Sequence, residues 1–418
     1  MGMKTREPVA SRSSNSTTDA DVARWRADTP GCELVTHLNN AGAGLMTRPV
    51  LDVMKAHLDA EALGGGYEAA QDNAARIAAA YDAVARLCAT EKRNIAFVES
   101  ATAGVGLILS AFAWKPGDRI VTTMNDYASN QIMLLSLAQR YGVEIVRARD
   151  LAEGGADPDD FARLLAGDRV KLALVTWVPT NSGLIQPVAE LGRRCATVGV
   201  RYAIDACQAV GQLPIDTAEL RCDFLTASAR KFLRGPRGIG FLYIGDAALE
   251  AGHAPLFPDM RGADWTQRDA FELRPDARRF ENWEFAYALV LGMGAAAEYA
   301  LAAGQERTSA RARELAAVLR TGLADIPGVR VQDRGRELAA IVSFVPGAAL
   351  PAAVVRGLRE RSINASWTPR TSATIDMDTK GAAGIVRLSP HYYNVPEELD
   401  RALEAVAAIV GGSRASGA

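Results

Sequence analysis

Thr226-Ala-Ser-Ala-Arg-Lys-Phe-Leu-Arg-Gly-Pro-Arg-Gly-Ile-Gly240 begins at the end of a short β-run, continues through Ser228 and Lys231 and turns through glycines into a second apolar run at 238–244. Upstream, the apolar run 200–204 ends on Asp205. A lysine amine can condense with an aldehyde cofactor, and a carboxylate at a strand end can hold the proton of a pyridine ring. A lone lysine is usually a solvated surface residue. Its pairing with an acid at a neighbouring strand end gives the stretch chemical meaning.

From this pair the pattern extends outward in both directions. Short β-rich runs at 94–98, 119–123, 144–147, 171–177, 200–204, 224–226 and 238–244 alternate with helical stretches at 68–90, 101–113, 129–141, 158–165 and 188–198. Such alternation is the mark of helices crossing over a mainly parallel sheet, so the fold class expected is α/β with seven strands in one large sheet. Asp157 before Pro158 suits a cap followed by a first helical residue.

Beyond Asn282 a long Ala-rich helix is expected to about residue 303 and another over 307–323. A smaller α+β unit follows, with strands at 329–332, 339–345 and 385–388 and helices at 352–361 and 397–410. Asn394 is the expected cap of the last helix, and Gly411-Gly412 its expected end. The domain division expected is a mobile tail over 1–20, an N-terminal segment over 21–49 packing with the small domain, a large domain over 50–295, and a small C-terminal domain over 296–412.

The chain has 418 residues, 49% hydrophobic and 23% charged, with a formal net charge of -2. That balance, without Lys or Arg blocks, argues against nucleic acid or an anionic membrane as partner. No apolar stretch reaches the roughly 20 residues of a bilayer span. The N-terminus has no apolar core for a signal peptide, and a cytoplasmic enzyme is expected. The five cysteines, Cys32, Cys88, Cys195, Cys207 and Cys222, have neither metal-ligand spacing nor disulfide density, so no metal site is expected.

In a parallel α/β sheet, ligands gather at the carboxyl ends of the strands. After the first run, Glu99-Ser-Ala-Thr-Ala-Gly-Val-Gly106 opens a helix whose free N–H groups and Thr102 hydroxyl suit a phosphate. It is not the Gly-x-Gly-x-x-Gly turn of a nucleotide-binding oxidoreductase. After the second run, Tyr127 can stack on a flat heterocycle. Thr180 and Asn181 end the 171–177 run with polar groups. Gln208 follows Asp205 by about one helical turn and can approach a ring oxygen, and Ser228 can reach a phosphate.

A phosphate loop, an aromatic, Asp-x-x-Gln and Ser-x-x-Lys in this order resemble the class V aminotransferases of pyridoxal-phosphate fold type I. The group includes cysteine desulfurases, and the resemblance spans about residues 35–410. It implies an aspartate-aminotransferase-like fold, pyridoxal 5′-phosphate as cofactor, Lys231 as the lysine joined to it, and Asp205 on its ring nitrogen. It further implies Ala101, Thr102, Tyr127, Thr180, Gln208 and Ser228 around the cofactor, and a homodimer with the active site at the interface.

Arg387, in Val386-Arg-Leu-Ser-Pro-His-Tyr-Tyr-Asn394, matches the arginine that in relatives grips the α-carboxylate of an amino acid. Asn40, Tyr67, Asn181, Arg230 and Arg234 are the further candidates for the substrate side, with His37 and Arg237 beside them. His37-Leu-Asn-Asn-Ala-Gly-Ala-Gly-Leu-Met46, Gly65-Gly-Tyr-Glu-Ala-Ala70, Asp126-Tyr-Ala-Ser-Asn130 and Arg230-Lys-Phe-Leu-Arg-Gly-Pro-Arg-Gly238 resemble the isopenicillin-N-epimerase-like and ergothioneine C–S lyase-like branch.

Three departures matter. Desulfurases of the family resemble one another in a persulfide-forming cysteine on a small-domain loop, and here no cysteine follows Cys222. Arg230 stands where the family has histidine. Trp283 and Glu284 stand where it often has the Gly-Thr that reaches the partner's phosphate. The expected chemistry is therefore C–S lysis by β-elimination on a cysteine-derived conjugate or sulfoxide. Transamination is the alternative, and epimerisation or decarboxylation comes after it. A sensor fused to a DNA-binding module is disfavoured because the N-terminal tail is too short for one.

Overall fold

The computed structural model describes residues 17–415. The expected tail at 1–16 lies outside the described residues, while Asp19 and Ala20 belong to a helix, Asp19–Ala27, whose Thr18 cap and Asp21 form a reciprocal capping box. Strand β1 (Thr36–His37) follows it.

Seven strands form the central sheet: β2 (Ile95–Val98), β3 (Arg119–Thr123), β4 (Glu144–Ala148), β5 (Val170–Thr176), β6 (Arg201–Asp205), β7 (Phe224–Ser228) and β8 (Gly240–Ile244). Their order is β2-β8-β7-β6-β5-β3-β4. From β4 through β7 neighbours run parallel, whereas β8 is antiparallel to both β7 and β2. The carboxyl ends of β2, β3, β5, β6 and β7 thus share one edge with the start of β8. The turn between β7 and β8, which carries Lys231, sits on that edge. Strands β2, β7 and β8 are buried throughout, as expected where both faces are covered.

Helices Pro158–Leu165 and Val188–Val198 begin and end where the sequence places them, and Asp157 accepts hydrogen bonds from the amides of Asp159 and Asp160. The expected helix over 68–90 is instead two, Gly66–Asp72 and Ala74–Leu87, broken at Asn73. A helix over Arg48–Gly64, which the sequence reading missed, precedes them. The helix Tyr287–Ala303 packs on Arg48–Gly64 and Ala74–Leu87. No single helix among the described residues is long and apolar enough to cross a membrane.

The hairpin β9 (Ala263–Gln267) and β10 (Ala270–Leu273) projects from the large sheet's side of the chain. A second sheet, order β11-β12-β15-β14, is built from β11 (Arg330–Val331), β12 (Val342–Val345), β14 (Ser366–Pro369) and β15 (Gly384–Leu388), while β13 (Ile363–Asn364) pairs in parallel with β1. The bridge Asn39↔Ser389 extends that link between the N-terminal segment and the second sheet.

Two expectations about the last helix are corrected. It runs Pro396–Ala415, straight through Gly411 and Gly412, because a glycine weakens a helix interior by only about 1 kcal/mol. Asn394 does not cap it: its Oδ1 accepts from the His391 amide, and the Glu398 carboxylate accepts from the Val395 amide instead.

Candidate active site

The strand ends enclose a cavity of about 270 Å³ lined by Glu99, Ala101, Thr102, Tyr127, Thr176, Thr180, Asp205, Cys207, Gln208, Ser228, Arg230, Lys231 and Arg237, among others. Every residue assigned from sequence to the cofactor is in this lining.

Local geometry explains how the chain brings them together. Gly104 lets the helix Ala101–Ser110 lie against β7, since a Cβ there would stand 2.2 Å from Thr226 Oγ1. That approach sets the first turn of the helix beside Ser228, whose Oγ accepts from the Ala101 amide at 2.9 Å. Ser100 Oγ accepts from the Ala103 amide at 3.1 Å, which leaves the Thr102 amide and hydroxyl to face the cavity. The result is a helix start with donors facing the cavity, which suits an anion.

Lys231 and Asp205 both line the cavity, and both are buried. The lysine Nζ stands 5.8 Å from the centroid of the Tyr127 ring. Its loop is held by the N-terminal segment: Gly44 donates to the Arg230 carbonyl at 2.7 Å, and a Cβ on Gly44 would stand 2.5 Å from the Lys231 carbonyl oxygen. Asp205 accepts from Asn130 Nδ2 and from the Cys207 amide, each at 2.9 Å. Gln208 Nε2 donates to the Ala41 carbonyl at 3.0 Å and to Thr180 Oγ1 at 3.3 Å, while its Oε1 is buried without a partner. A buried acceptor left open on a cavity wall is what a ligand donor or acidic hydroxyl would complete.

The substrate-side candidates divide. Arg387, on β15, is buried just outside the cavity lining, behind Thr180: it donates through one amino nitrogen to the Thr180 carbonyl at 2.5 Å and to Thr180 Oγ1 at 2.8 Å, with its Nε unpartnered. Burial and the neighbouring Arg230 push its pKa down to about 10. Arg230 lines the cavity and donates to the Gly42 carbonyl. Asn181, off the lining, donates to Asp376 and leaves its Oδ1 unpartnered.

Three candidates are placed elsewhere. Asn40 is buried with all its polar atoms engaged, by Ser389 O at 2.8 Å, His37 O at 3.4 Å and the Tyr393 hydroxyl at 2.8 Å, so it joins β1 to the second sheet's side. Arg234 is buried among Tyr393, Tyr392 and Tyr299, with its guanidinium carbon 4.5 Å from the Tyr393 ring centroid. It donates to Leu45 O, the Tyr392 hydroxyl and Thr29 Oγ1. Tyr67 is 74% exposed and lines a different cavity with Tyr81, Arg261 and Tyr287. His37 is likewise occupied, by Ala43 O and Asn364. Asn40 and Arg234 are held by contacts from distant segments, which the local sequence does not reveal. Arg234→Ala is expected to destabilise the fold by roughly 3 kcal/mol or more, as a loss in thermal-melt midpoint, because it strips three acceptors and three aromatic faces of a buried cation.

Two features escaped the sequence reading. Cys207 is on the cavity wall, where its position two residues after Asp205 gave the available signal. Asn282, next to the exposed Trp283 and Glu284, donates to Glu99 Oε1 at 3.3 Å at the same cavity.

Comparison with known proteins agrees with this arrangement. A probable hercynylcysteine sulfoxide lyase of Mycobacterium tuberculosis (strain CDC 1551 / Oshkosh) is 29% identical over 393 residues, covering 93% of this chain and 94% of that protein. A probable cysteine desulfurase of Mycolicibacterium paratuberculosis (strain ATCC BAA-968 / K-10) is 32% identical over 416 residues, covering 94% of this chain but only 58% of that longer protein. The apo structure of a cysteine desulfurase from Thermococcus onnurineus NA1 superposes with a TM-score of 0.85 at 26% identity, covering 95% of this chain and all of that one. The sequence profile of the family described as "Aminotransferase class-V" matches residues 36–402, which contain every strand end of the cavity. With fold, cavity and profile in agreement over that span, the chain belongs to the class-V aminotransferase family of enzymes.

Proposed function

We propose that the protein is a pyridoxal-phosphate enzyme that cleaves the C–S bond of a cysteine-derived conjugate or sulfoxide by β-elimination. The observation that carries the reading is the convergence of Lys231, Asp205, Tyr127, Gln208, Thr102 and Ser228 on one cavity from four strand ends. The unpartnered Gln208 Oε1 and the Thr102 side of the cavity fit the ring and phosphate of such a cofactor. Ala101, Thr102 and Ser228 would hold the phosphate, Tyr127 the ring face, Gln208 and Thr180 the ring oxygen side, Asp205 the ring nitrogen, and Lys231 the aldehyde carbon. When bound, the cofactor supplies an electron sink for charge developing at the substrate Cα.

The residues of the chain then divide the work. Arg387, with Arg230 near it, binds the α-carboxylate and orients the Cα–H bond, with Asn181 beside them on the substrate side. Lys231, once released by the incoming amino group, takes the Cα proton. The electron pair left at Cα forms a bond to Cβ as the C–S bond breaks, and sulfur departs as thiolate or sulfenate. Hydrolysis of the released enamine gives pyruvate and ammonia.

Cysteine positions favour lysis over sulfur storage: Cys207 alone lines the cavity, and it follows Asp205 in the large sheet's strand-end loop rather than standing on the small domain. Burial holds the thiols of Cys88, Cys195 and Cys222 protonated with pKa values raised, and Cys32 is pushed up to about 11. No cysteine lies in β14, β15 or the segment between them. The mass of the intact protein after turnover with cysteine is expected to show no added sulfur.

The deciding experiment mixes the yellow holoenzyme with cysteine conjugates, cysteine sulfoxides and common amino acids. The expected products are pyruvate, ammonia and a stoichiometric thiol or sulfenate. A stable loss of the visible band with release of the matching keto acid would replace this reading with transamination, and racemised substrate would replace it with epimerisation.

We further propose a homodimer with the active site at its interface. Leu256, Phe257, Met260, Trp265, Phe271 and Trp283 are large, exposed and confined to residues 256–283, a density that calls for a covering surface. Trp265→Glu is expected to shift sedimentation from dimer to monomer.

A further inference from the structure

The loop after β3 contains a buried carboxylate that the mechanism above does not use. Asp126 accepts from the Tyr127 amide at 2.7 Å, from Gln131 Nε2 at 2.7 Å, from Thr122 Oγ1 at 3.2 Å and from Thr176 Oγ1. Arg147 is tied into the group from β4 by donating to Gln131 Oε1 at 2.7 Å. Asn130, in the first turn of helix Ala128–Tyr141, closes the group toward the cavity. Its Nδ2 lies 2.9 Å from Asp205 Oδ2 and 3.2 Å from both Asp126 Oδ1 and Thr176 Oγ1.

The direction in which this amide points is dictated by chemistry. Both carboxylates are acceptors when ionised, so only the NH₂ end of Asn130 can face them. Its Oδ1 is consequently buried with no partner, an arrangement that leaves a desolvated acceptor inside the protein. A residue chosen for packing alone would avoid that loss. A residue chosen to hold Asp205 accepts it.

We propose that Asn130, kept in place by Asp126, is a positioning residue that fixes the plane of the Asp205 carboxylate and thereby keeps the proton on the cofactor's ring nitrogen. One donor reaches each oxygen of Asp205, Asn130 Nδ2 on Oδ2 and the Cys207 amide on Oδ1, so the group cannot rotate without breaking one. The titratable and charged groups around it are Asp126 on the β3 loop, Lys231 and Tyr127 across the cavity, and Arg147 through Gln131. Burial, with the Asp205 charge adding to it, raises the pKa of Asp126, and the hydrogen bonds from Thr176, Gln131 and the Tyr127 amide act against that rise. The inference rests on the pyridoxal-phosphate reading.

The test is a pH titration of the visible band in reconstituted holoenzyme, for wild type, Asn130→Ala and Asp126→Asn. A ring nitrogen that has lost its proton is no longer cationic, so the chromophore's other proton is released at higher pH. The midpoint of Asn130→Ala is expected to rise by about one unit, a tenfold change, with a smaller rise for Asp126→Asn. A yellow Asn130→Ala protein with an unchanged or lowered midpoint would overturn the proposal, even if its melting temperature fell, because a purely structural role moves only the latter. If Asn130→Ala does not fold, the isosteric Asp126→Asn decides by the same criterion. A wild type that gains no visible band with pyridoxal phosphate would instead sink the cofactor reading itself.

Discussion

Lys231→Ala is expected to abolish the covalent link to the cofactor and lower turnover by at least about 10²–10⁴-fold, the range supplied by a positioned proton-transfer group. The measurement is twofold. Borohydride reduction followed by peptide mass should mark residue 231 in the wild type and no residue in the variant, while single-turnover product formation gives the rate loss. The size of the effect follows from where the lysine sits. It is buried, its Nζ is 5.8 Å from the Tyr127 ring centroid, and Gly44 closes on its own carbonyl from behind. No second lysine lines the cavity among the described residues, so no other amine can take its place at the reacting carbon. The fold should tolerate the change, since the loop is held through backbone groups of Arg230, Lys231 and Ala229. A Lys231→Ala protein that kept wild-type turnover would remove the lysine from the chemistry and with it the reading of the whole site.

The sheet and its ligand edge were legible because parallel strands covered on both faces read as continuous apolar runs. Once the runs were placed, the residues just beyond them became the candidates, and all those assigned to the cofactor share one cavity. Helix Pro158–Leu165 was legible from its Asp-Pro start. Helix Arg48–Gly64 was not: Thr47 makes no side-chain cap, and only Val50 and His57 are buried along it. The hairpin β9–β10 escaped for a related reason, since its strands are almost wholly exposed and give no alternation to read. Asn40 and Arg234 were misassigned because their partners, Ser389, Tyr393 and Tyr392, lie more than a hundred residues away. Asp126 and Asn130 stood in view around Tyr127, but their link to Asp205 spans β3, β5 and β6 and exists only in three dimensions.

Arg387→Met is expected to weaken binding of the amino-acid substrate by roughly 2–5 kcal/mol, a rise in Kd of at least about 30-fold, while leaving the apo fold as stable as the wild type or more so. The two halves of the expectation have one cause. A guanidinium that is fully buried next to Arg230, with only Thr180 to receive it, loses water without gaining an anion, and that is why its pKa falls to about 10. Removing the charge relieves this burden in the free protein; supplying a substrate carboxylate relieves it in the complex. The sign of the pH dependence follows. Below about pH 10 Arg387 is protonated in both folded and unfolded chains and contributes no slope to stability. Above that, the folded chain gives up the proton first, so this group makes stability rise with pH while carboxylate affinity falls. An alkaline limb in kcat/KM near pH 10 that is absent in Arg387→Met is the kinetic sign. Thermal melts of both apo proteins, alongside titration with a non-reactive amino acid, separate the halves: a variant that melts much lower and binds normally would make Arg387 a structural cation rather than the carboxylate's partner.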